Sequence, residues 1–408
     1  MPACRAVRRA PVLGAALLIA AAAAVPPALA AAATTPAART VTLSGTGVLD
    51  DVAASSARNV WAVGHYGPLG KPKALIEHWN GTGWSRVPVS PAGGWLDGIT
   101  AVSARDLWAV GIAADEPLVV HFDGKAWRRV AIPAVPGPQR VLVKVTAVSS
   151  SDVWAVGLSG RKTLIEHWNG TAWRRVPSPS PGKFAILNGV SAVSADDIWA
   201  VGSTGNKTLT EHWNGTTWRQ VPSPSPGPHP ALEAVAAISA GDVWATGTTG
   251  RGTLILHWNG TAWQRTPSLP GGHAAQLVAV SGTSASNVWA VGATGGFTAL
   301  AASPASIASA AREGVAVTAS SIGLPVRPAA GSTSHFKPLL LHWSGTAWQP
   351  ARFPEPASGG TFLGVFATSG RSAWAVGCTR FFGAPKARPL VLRWNGTAWN
   401  AERRPTGR

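Results

Sequence analysis

Apolar and polar residues alternate over short runs along most of this 408-residue chain, and Gly, Pro, Asn and Ser bound the runs. The cleanest stretch is Leu187 to Pro226. Leu187-Asn188-Gly189-Val190-Ser191-Ala192-Val193 alternates and carries β-branched residues, which predicts a strand. Ser194-Ala195-Asp196-Asp197 is turn chemistry, and Ile198-Trp199-Ala200-Val201-Gly202 reads as a second strand ended by Ser203 to Lys207. Thr208 to Trp213 is a third strand. Asn214-Gly215 then predicts a type I′ hairpin turn, because both residues tolerate positive φ. Trp218-Arg219-Gln220-Val221 is the fourth strand, stopped by Pro222-Ser223-Pro224-Ser225-Pro226. The second and third strands are apolar on both faces, as expected of a sheet packed between two neighbours. No stretch has the period and length of an amphipathic helix.

The unit recurs. Trp-Ala-Val-Gly or a near copy starts at Trp61, Trp108, Trp154, Trp199, Trp244, Trp289 and Trp374, with spacings of 47, 46, 45, 45, 45 and 85. Four short antiparallel strands in about 45 residues make a propeller blade. The expected fold is therefore all-β, a β-propeller of seven four-stranded blades over residues 41–403. Two more sets keep step with the first. Trp79, Trp168, Trp213, Trp258, Trp343 and Trp394, with Phe122 as the seventh, precede the hairpin, and Trp84, Trp127, Trp173, Trp218, Trp263, Trp348 and Trp399 follow it. The three sets hold 20 of the 21 tryptophans and leave only Trp95. Rings of this size bury roughly 150–250 Å² each and are expected to fill the wedges between blades rather than build a ligand box. The 85-residue interval admits two accounts. One is an insertion, 293–338, between the second and third strands of blade six. The other is a degenerate eighth blade, in which Gly314 to Ser320 echoes Gly189 to Ser194 and Phe297-Thr298-Ala299-Leu300 is a decayed third strand. That segment has no tryptophan and no Asn-Gly hairpin, which favours seven blades.

The Gly-ended second strand and the His-Trp-Asn-Gly-Thr-Ala-Trp hairpin resemble a kelch-type blade across about residues 47–402. The chain departs from that pattern in having one Gly where kelch has two, and Trp-Asn where kelch has Tyr-Asp. The same blade is similar to the tryptophan-rich propeller lectins of bacteria and fungi, whose repeats run Gly, Leu, His, Trp, Asn-Gly, Trp. Galactose oxidase-like copper chemistry needs tyrosine ligands, and the chain has one tyrosine, Tyr66.

Candidate chemistry gathers at His78, His121, His167, His212, His257 and His342, with Arg393 in blade seven and Glu77, Glu166 and Glu211 preceding the histidine in three blades. One ligand per blade does not converge on a metal, so no metal or cofactor is expected. An Asx residue stands two before each Trp-Ala-Val-Gly tryptophan: Asn59, Asp106, Asp152, Asp197, Asp242 and Asn287, with Ser372 as the exception. Both positions fall on one face of the blade, so Asp106, Asp152, Asp197 and Asp242 are expected to brace it by accepting hydrogen bonds from His121, His167, His212 and His257. Five Asn-Gly-Thr triplets match the glycosylation sequon, but their hairpin position assigns them to turns. No phosphate loop, nucleophile elbow or zinc signature occurs.

The first thirty residues predict a secreted molecule. Arg5, Arg8 and Arg9, then an apolar stretch from Val12 to Val25, then Ala28-Leu29-Ala30 form a cleavable leader over residues 1–30, followed by a linker over 31–40. The apolar stretch is too short to span a bilayer, so no membrane span is expected after cleavage. Residues 404–408 are a tail. Loss of Cys4 with the leader leaves Cys378 alone, as a buried small hydrophobe. Of a net charge of +17, much recurs after the fourth-strand tryptophan, at Arg86, Arg128, Arg129, Arg174, Arg175, Arg219 and Arg265. On an outer strand these charges discourage edge pairing, and alternatively they form a basic rim for anionic polymers, without sequence-specific nucleic-acid recognition. The divergent loops, His65 to Lys73, Ala293 to Lys337 and Thr379 to Arg388, belong to one face and to blades one, six and seven. Three functions follow. The first is a secreted, monomeric, non-enzymatic scaffold whose loop face, including Tyr66, Phe297, Phe381 and Phe382, binds an extracellular protein. The second is a multivalent lectin for cell-surface glycans, with sites between blades built from residues such as Glu166, Glu211, Arg128, Arg129, Arg174 and Arg175. The third and weakest is a hydrolase using Asp50, Asp51, Asp97 and Glu233 in a central channel.

Overall fold

The computed structural model describes residues 46–68, 71–90, 93–135, 137–268, 275–295, 336–379 and 387–402. These residues form seven antiparallel sheets, each built from four strands consecutive in sequence and paired in that order. Successive first strands pack side by side, and the first strand of blade one, Val48–Ser56, packs on that of blade seven, Gly360–Ser369, which closes the ring. The chain is a seven-bladed β-propeller. No helix among the described residues is long and apolar enough to cross a membrane. In blade four the strands are Ala185–Ser194, Asp197–Thr204, Lys207–Trp213 and Trp218–Gln220. Blade two has an additional two-residue strand, Val89–Ser90, which arrives from blade one and pairs parallel to Trp127–Arg129. It covers an edge that would otherwise present free backbone donors and acceptors.

Each first strand carries a β-bulge near its start. In blade four the pairing steps from Leu187↔Gly202 to Gly189↔Val201 and leaves Asn188 out. The residues left out elsewhere are Asp50, Asp97, Val143, Glu233, Val278 and Leu363. The bulge explains the invariant last letter of Trp-Ala-Val-Gly. A Cβ at Gly202 would lie 1.9 Å from the Ile186 carbonyl oxygen across the bulged pair, so the position takes only glycine.

The tryptophans join blade to blade. Trp199 packs against Trp258 of the next blade, with centroids 4.8 Å apart, and meets Trp263 edge to face at 5.2 Å and 89°. The same trio recurs at every join, with Phe122 and Trp127 receiving Trp61, and with Trp79 and Trp84 of blade one receiving Trp374 of blade seven. Each buried ring contributes on the order of 4–6 kcal/mol of transfer free energy as an upper bound.

One expectation is corrected. The Asn-Gly hairpins are not two-residue type I′ turns. Trp168 pairs with Trp173, which leaves four residues between them. The Asn169 Oδ1 accepts from the Thr171 backbone N–H at 3.1 Å, the Thr171 hydroxyl at 2.9 Å and the Ala172 N–H at 3.0 Å. The asparagine thus closes the turn with its side chain, and only Gly170 takes positive φ, at 91°. A two-residue turn with both residues at positive φ occurs instead at Ala114 (50°) and Asp115 (61°), between the second and third strands of blade two. In blade six, Ala293 pairs with Pro338 and Thr294 with Lys337. The excursion therefore runs inside the expected 293–338 span and leaves and re-enters one sheet. The ring closes with seven blades, so the eighth-blade account is not needed. Residues 296–335, including Phe297, lie outside the described residues.

Candidate functional site

The two ends of the propeller differ in how they are built. At one end the hairpin between the third and fourth strands lies against the turn between the first and second. The Trp213 indole N–H donates to the Ala195 carbonyl at 3.1 Å, and equivalent bonds occur from Trp168, Trp258, Trp343 and Trp394. Beneath them the expected pairs come together. His121, His167, His212 and His257 donate through Nε2 to Asp106, Asp152, Asp197 and Asp242 at 2.7, 2.8, 2.8 and 2.8 Å. His78 and His342 meet Asn59 and Asn287 at 2.6 and 3.0 Å. Each histidine ring also lies on its own blade's tryptophan, as His167 does on Trp154 at 4.1 Å. Burial holds His78 and His342, whose partners are neutral, below the ordinary imidazole pKa. In blade seven the Arg393 guanidinium takes the histidine's place, 5.3 Å from the Trp374 ring centroid and 5.8 Å from that of Trp79.

The arginines are not one set. Arg175 Nε reaches the fully buried Glu166 at 3.3 Å, and Arg86 reaches Glu77 at 3.4 Å. Arg128 stands on the outside, 71% exposed, with Asp123 at 3.6 Å, and Arg174 and Arg129 are also exposed. Burial raises the Glu166 pKa against the opposing Arg175 charge. In blade four Gln220 stands where Arg175 stands in blade three, opposite Glu211. Glu211 is wholly buried and faces no charged partner, and burial pushes its pKa up to about 8. The neighbouring Ser178 hydroxyl offsets only part of that penalty. Glu166 and Glu211 thus lie inside the sheet, beneath the blade surface. A groove of about 400 Å³ opens between blades three and four, lined by Ser178, Pro179, Trp213, Thr216 and Trp218 among others.

The other end carries the loops between second and third strands and those leading from one blade to the next. The Pro-Ser linkers are fastened there. Thr163 Oγ1 bonds to Ser178 and to the Pro179 carbonyl at 2.9 Å, and Thr208 repeats this with Ser223 at 2.9 Å and Pro224 at 3.1 Å. Tyr66 ends the second strand of blade one at this face, with the Arg86 guanidinium 4.5 Å from its ring centroid. His65 is not a loop residue. It is buried in that strand, stacked on Trp95 at 4.2 Å, with Nδ1 3.0 Å from Asp50 Oδ2. Phe381 and Phe382 lie outside the described residues.

The central channel opens at the same end. The bulged residues recur there once per blade, polar at Asp50, Asp97, Asn188 and Glu233 and apolar at Val143, Val278 and Leu363. Three carboxylates that the sequence leaves scattered are brought together by the turn from blade one to blade two. Asp51 accepts from Lys144 at 2.9 Å and from the Ile99 N–H at 2.9 Å. The lysine spans from blade three to blade one because the residue between them is Gly98, whose Cβ would lie 2.8 Å from the Val143 carbonyl. Burial, and then the charge of Asp50, hold the Asp97 carboxyl well above the usual range. Burial alone takes Glu233 up to about 7 and, with Asp50, pushes the Cys378 thiol up. Lys144, Asn188, His65 and Trp95 were not legible as site residues. The signal was Trp95, the one tryptophan outside the three repeating sets. No group of three His, Cys, Asp or Glu that could hold a metal occurs among the described residues.

No family model matches the chain, and no curated protein does. Solved structures do resemble it. YCF48 from Cyanidioschyzon merolae superposes with a TM-score of 0.55 at 17% identity, covering 88% of this chain and 99% of the other. YCF48 bound to D1 peptide gives 0.54 at 13%, covering 88% and 94%. The extracellular domain of a putative one-component system, BT4673 from B. thetaiotaomicron, gives 0.52 at 8%, covering 87% of this chain and 40% of that one. At these identities the likeness is one of fold alone, that of a β-propeller.

Proposed function

We propose that this chain is an exported, non-enzymatic propeller that binds a protein partner through the face carrying the blade-to-blade and second-to-third-strand loops. The observation behind this reading is the contrast between the two ends. At the hairpin end the blades are near copies, with polar groups satisfied within each blade, so little is left over for a ligand. At the opposite end the loops differ from blade to blade, and the bulge residues beside them differ too, from Asp97 to Val143 to Asn188. Recognition built from unlike loops on a rigid scaffold is the common use of such an end. A propeller of the same fold has been solved bound to a peptide, which supports a peptide or protein partner over a small molecule. The leader expected over residues 1–30 supports an extracellular partner and a secreted protein.

The test is a displayed random-peptide library panned on the immobilised mature chain. Enriched peptides are expected to bind Tyr66→Ala about tenfold more weakly, and Lys125→Ala, at the hairpin end, unchanged. Equal loss from both variants overturns the face assignment. A second reading rests on the groove at Trp213 and Trp218. A cleft floored by indoles and rimmed by Ser178 and Thr216 suits a sugar ring, and a glycan array that binds the wild type but not Trp213→Ala favours it over the first reading.

A further inference from the structure

We propose that the outer edge of the fourth strand of blade four accepts an extended segment of a protein partner as an added strand, with a β-branched residue against Trp218 and an acidic residue beside Arg219. The precedent lies inside the molecule. In blade two the outer edge of the fourth strand, Trp127–Arg129, is covered by Val89–Ser90 from the linker that leaves blade one. Val89 pairs with Trp127 and is buried in the same apolar cluster, whereas Ser90 pairs with Arg128 and both are exposed. Residue 91 is proline, so the second pairing runs through Ser90's own N–H and carbonyl, which meet the Trp127 carbonyl and the Arg129 N–H. The linker into blade three covers its edge with a side chain. Its Val135 is 3% exposed in the cluster of Trp173, and its Ala134 carbonyl accepts from Arg175 at 3.2 Å.

The linker into blade four leaves the place open. Val87 and Val176 each donate their N–H to the third strand of their own blade, at 2.9 and 3.0 Å, so Ser178 and Pro179 stand where Val89 and Ser90 stand. Serine offers no apolar body, and Pro179 has no N–H with which to join a ladder. Both are held toward their own blade instead, where the Thr163 hydroxyl bonds to Ser178 and to the Pro179 carbonyl at 2.9 Å. The groove of about 400 Å³ separates them from Trp213, Thr217 and Trp218. Trp218–Gln220 is left as the edge strand of its sheet. Val221 donates to Thr210 and Thr217 accepts from Asn214, so alternation points the backbone groups of Trp218 and Gln220 away from the third strand, as in blade two. Such an edge pairs with an extended chain, and the pocket and charge beside it select which one. The groove suits a valine-like side chain. The residue that follows falls opposite Arg219, which is exposed on a strongly basic protein of net charge +17. An acidic residue is favoured there and a basic one repelled.

The test titrates the mature chain, labelled at its indole nitrogens, with the blocked peptide Gly-Thr-Val-Glu-Gly and follows the Trp213 and Trp218 indole N–H resonances by NMR. Saturable shifts are expected. Replacing the peptide's Val by Gly, its Glu by Lys, or its Glu by N-methyl-Glu, which removes the pairing amide, should each weaken binding by about tenfold. Arg219→Ala should erase the preference for Glu over Lys. Ser178→Val combined with Pro179→Ser writes the blade-one linker into blade three and should abolish the shifts by covering the edge from within. Thr217→Glu, in the exposed hairpin, should weaken the acidic peptide without touching the linker. Absence of shifts overturns the added strand, as does binding that N-methylation leaves unchanged or that survives both the linker and the Thr217 variants. A glycan that moves these resonances where the peptide does not assigns the groove to a sugar and overturns it too. The proposal goes beyond the loop-face reading. None of these outcomes involves Tyr66 in blade one, so that reading stands or falls by its own test.

Discussion

Trp374 and Trp84 meet edge to face across the join between the last blade and the first, with ring centroids 5.4 Å apart and planes at 85°. No strand is exchanged there. Blade one takes all four strands from Val48–Arg86 and blade seven all four from Gly360–Ala401. Every other join is also held by the chain running from one blade into the next. This one is held by side chains, by a backbone bond from the Gly47 N–H to the Ala387 carbonyl at 3.0 Å, and by Arg393 lying over both Trp374 and Trp79.

Removing the ring at this join should therefore do more than leave a cavity. Trp199→Ala is expected to cost about 3–5 kcal/mol in urea unfolding, the usual range for a buried tryptophan. Trp374→Ala removes an equivalent contact and also lets the first and last blades part, since no linker holds them together. Greater loss than in Trp199→Ala is expected, with proteolytic cleavage appearing first in blades one and seven. The same loss and the same cleavage pattern in both variants would show that the join is no weaker than the others.

The architecture was legible because each blade repeats one solution to one problem. The alternation, the Asn-Gly turns and the tryptophan period all encode local pairing, so strand order and blade count followed. The Asp197–His212 contact was also readable, since strand geometry alone puts the start of the second strand near the end of the third. What a sequence does not carry is the spatial meaning of departures from the repeat. Asp97 and Glu233 are scattered first-strand carboxylates, and Asn188 has no evident link to them, until the shared bulge shows that all three hold the same position. Arg174 and Arg175 look alike until the sheet sets Arg175 beside the buried Glu166. The hairpin turn departs from expectation for a related reason: Asn-Gly is a backbone signal in sequence, whereas Asn169 acts through its side chain.

Those adjacent arginines give a direct contrast. Arg175→Ala strips the partner from a carboxylate that is fully buried, and the expected cost is about 1–3 kcal/mol. That figure already allows for the guanidinium's own exposure of 35%, which screens the pair. Arg174→Ala, on the exposed side of the same short strand, is expected to change stability by less than about 0.5 kcal/mol. Glu166→Gln in the Arg175→Ala background should recover most of the loss, because the stranded charge is then gone. Equal effects from the two arginine variants, measured by urea unfolding at pH 7, would refute the division.

Blade four lacks that compensating arginine, and its consequence is a pH dependence of defined sign. Burial takes Glu211 from the ordinary 4.5 up to about 8, so the folded chain keeps a proton that the unfolded chain has released. Stability from this group is complete below pH 4.5 and declines as pH rises through the window to about 8. Glu233 acts in the same direction, but only up to about pH 7. The lowered pKa values of His78 and His342 act in the opposite direction, since they cost stability as pH falls below 6.5. Between pH 7 and 8 Glu211 therefore outweighs Glu233 and the two histidines and contributes a loss of about 1 kcal/mol, to which the raised Asp97 carboxyl adds in the same direction. Glu211→Gln should flatten that fall. Gln220→Arg should shrink it as well, by supplying to Glu211 the partner that Arg175 supplies to Glu166. Unfolding free energies at pH 7.0, 7.5 and 8.0 for the three proteins decide the matter, and a fall that persists unchanged in Glu211→Gln would assign it to another group.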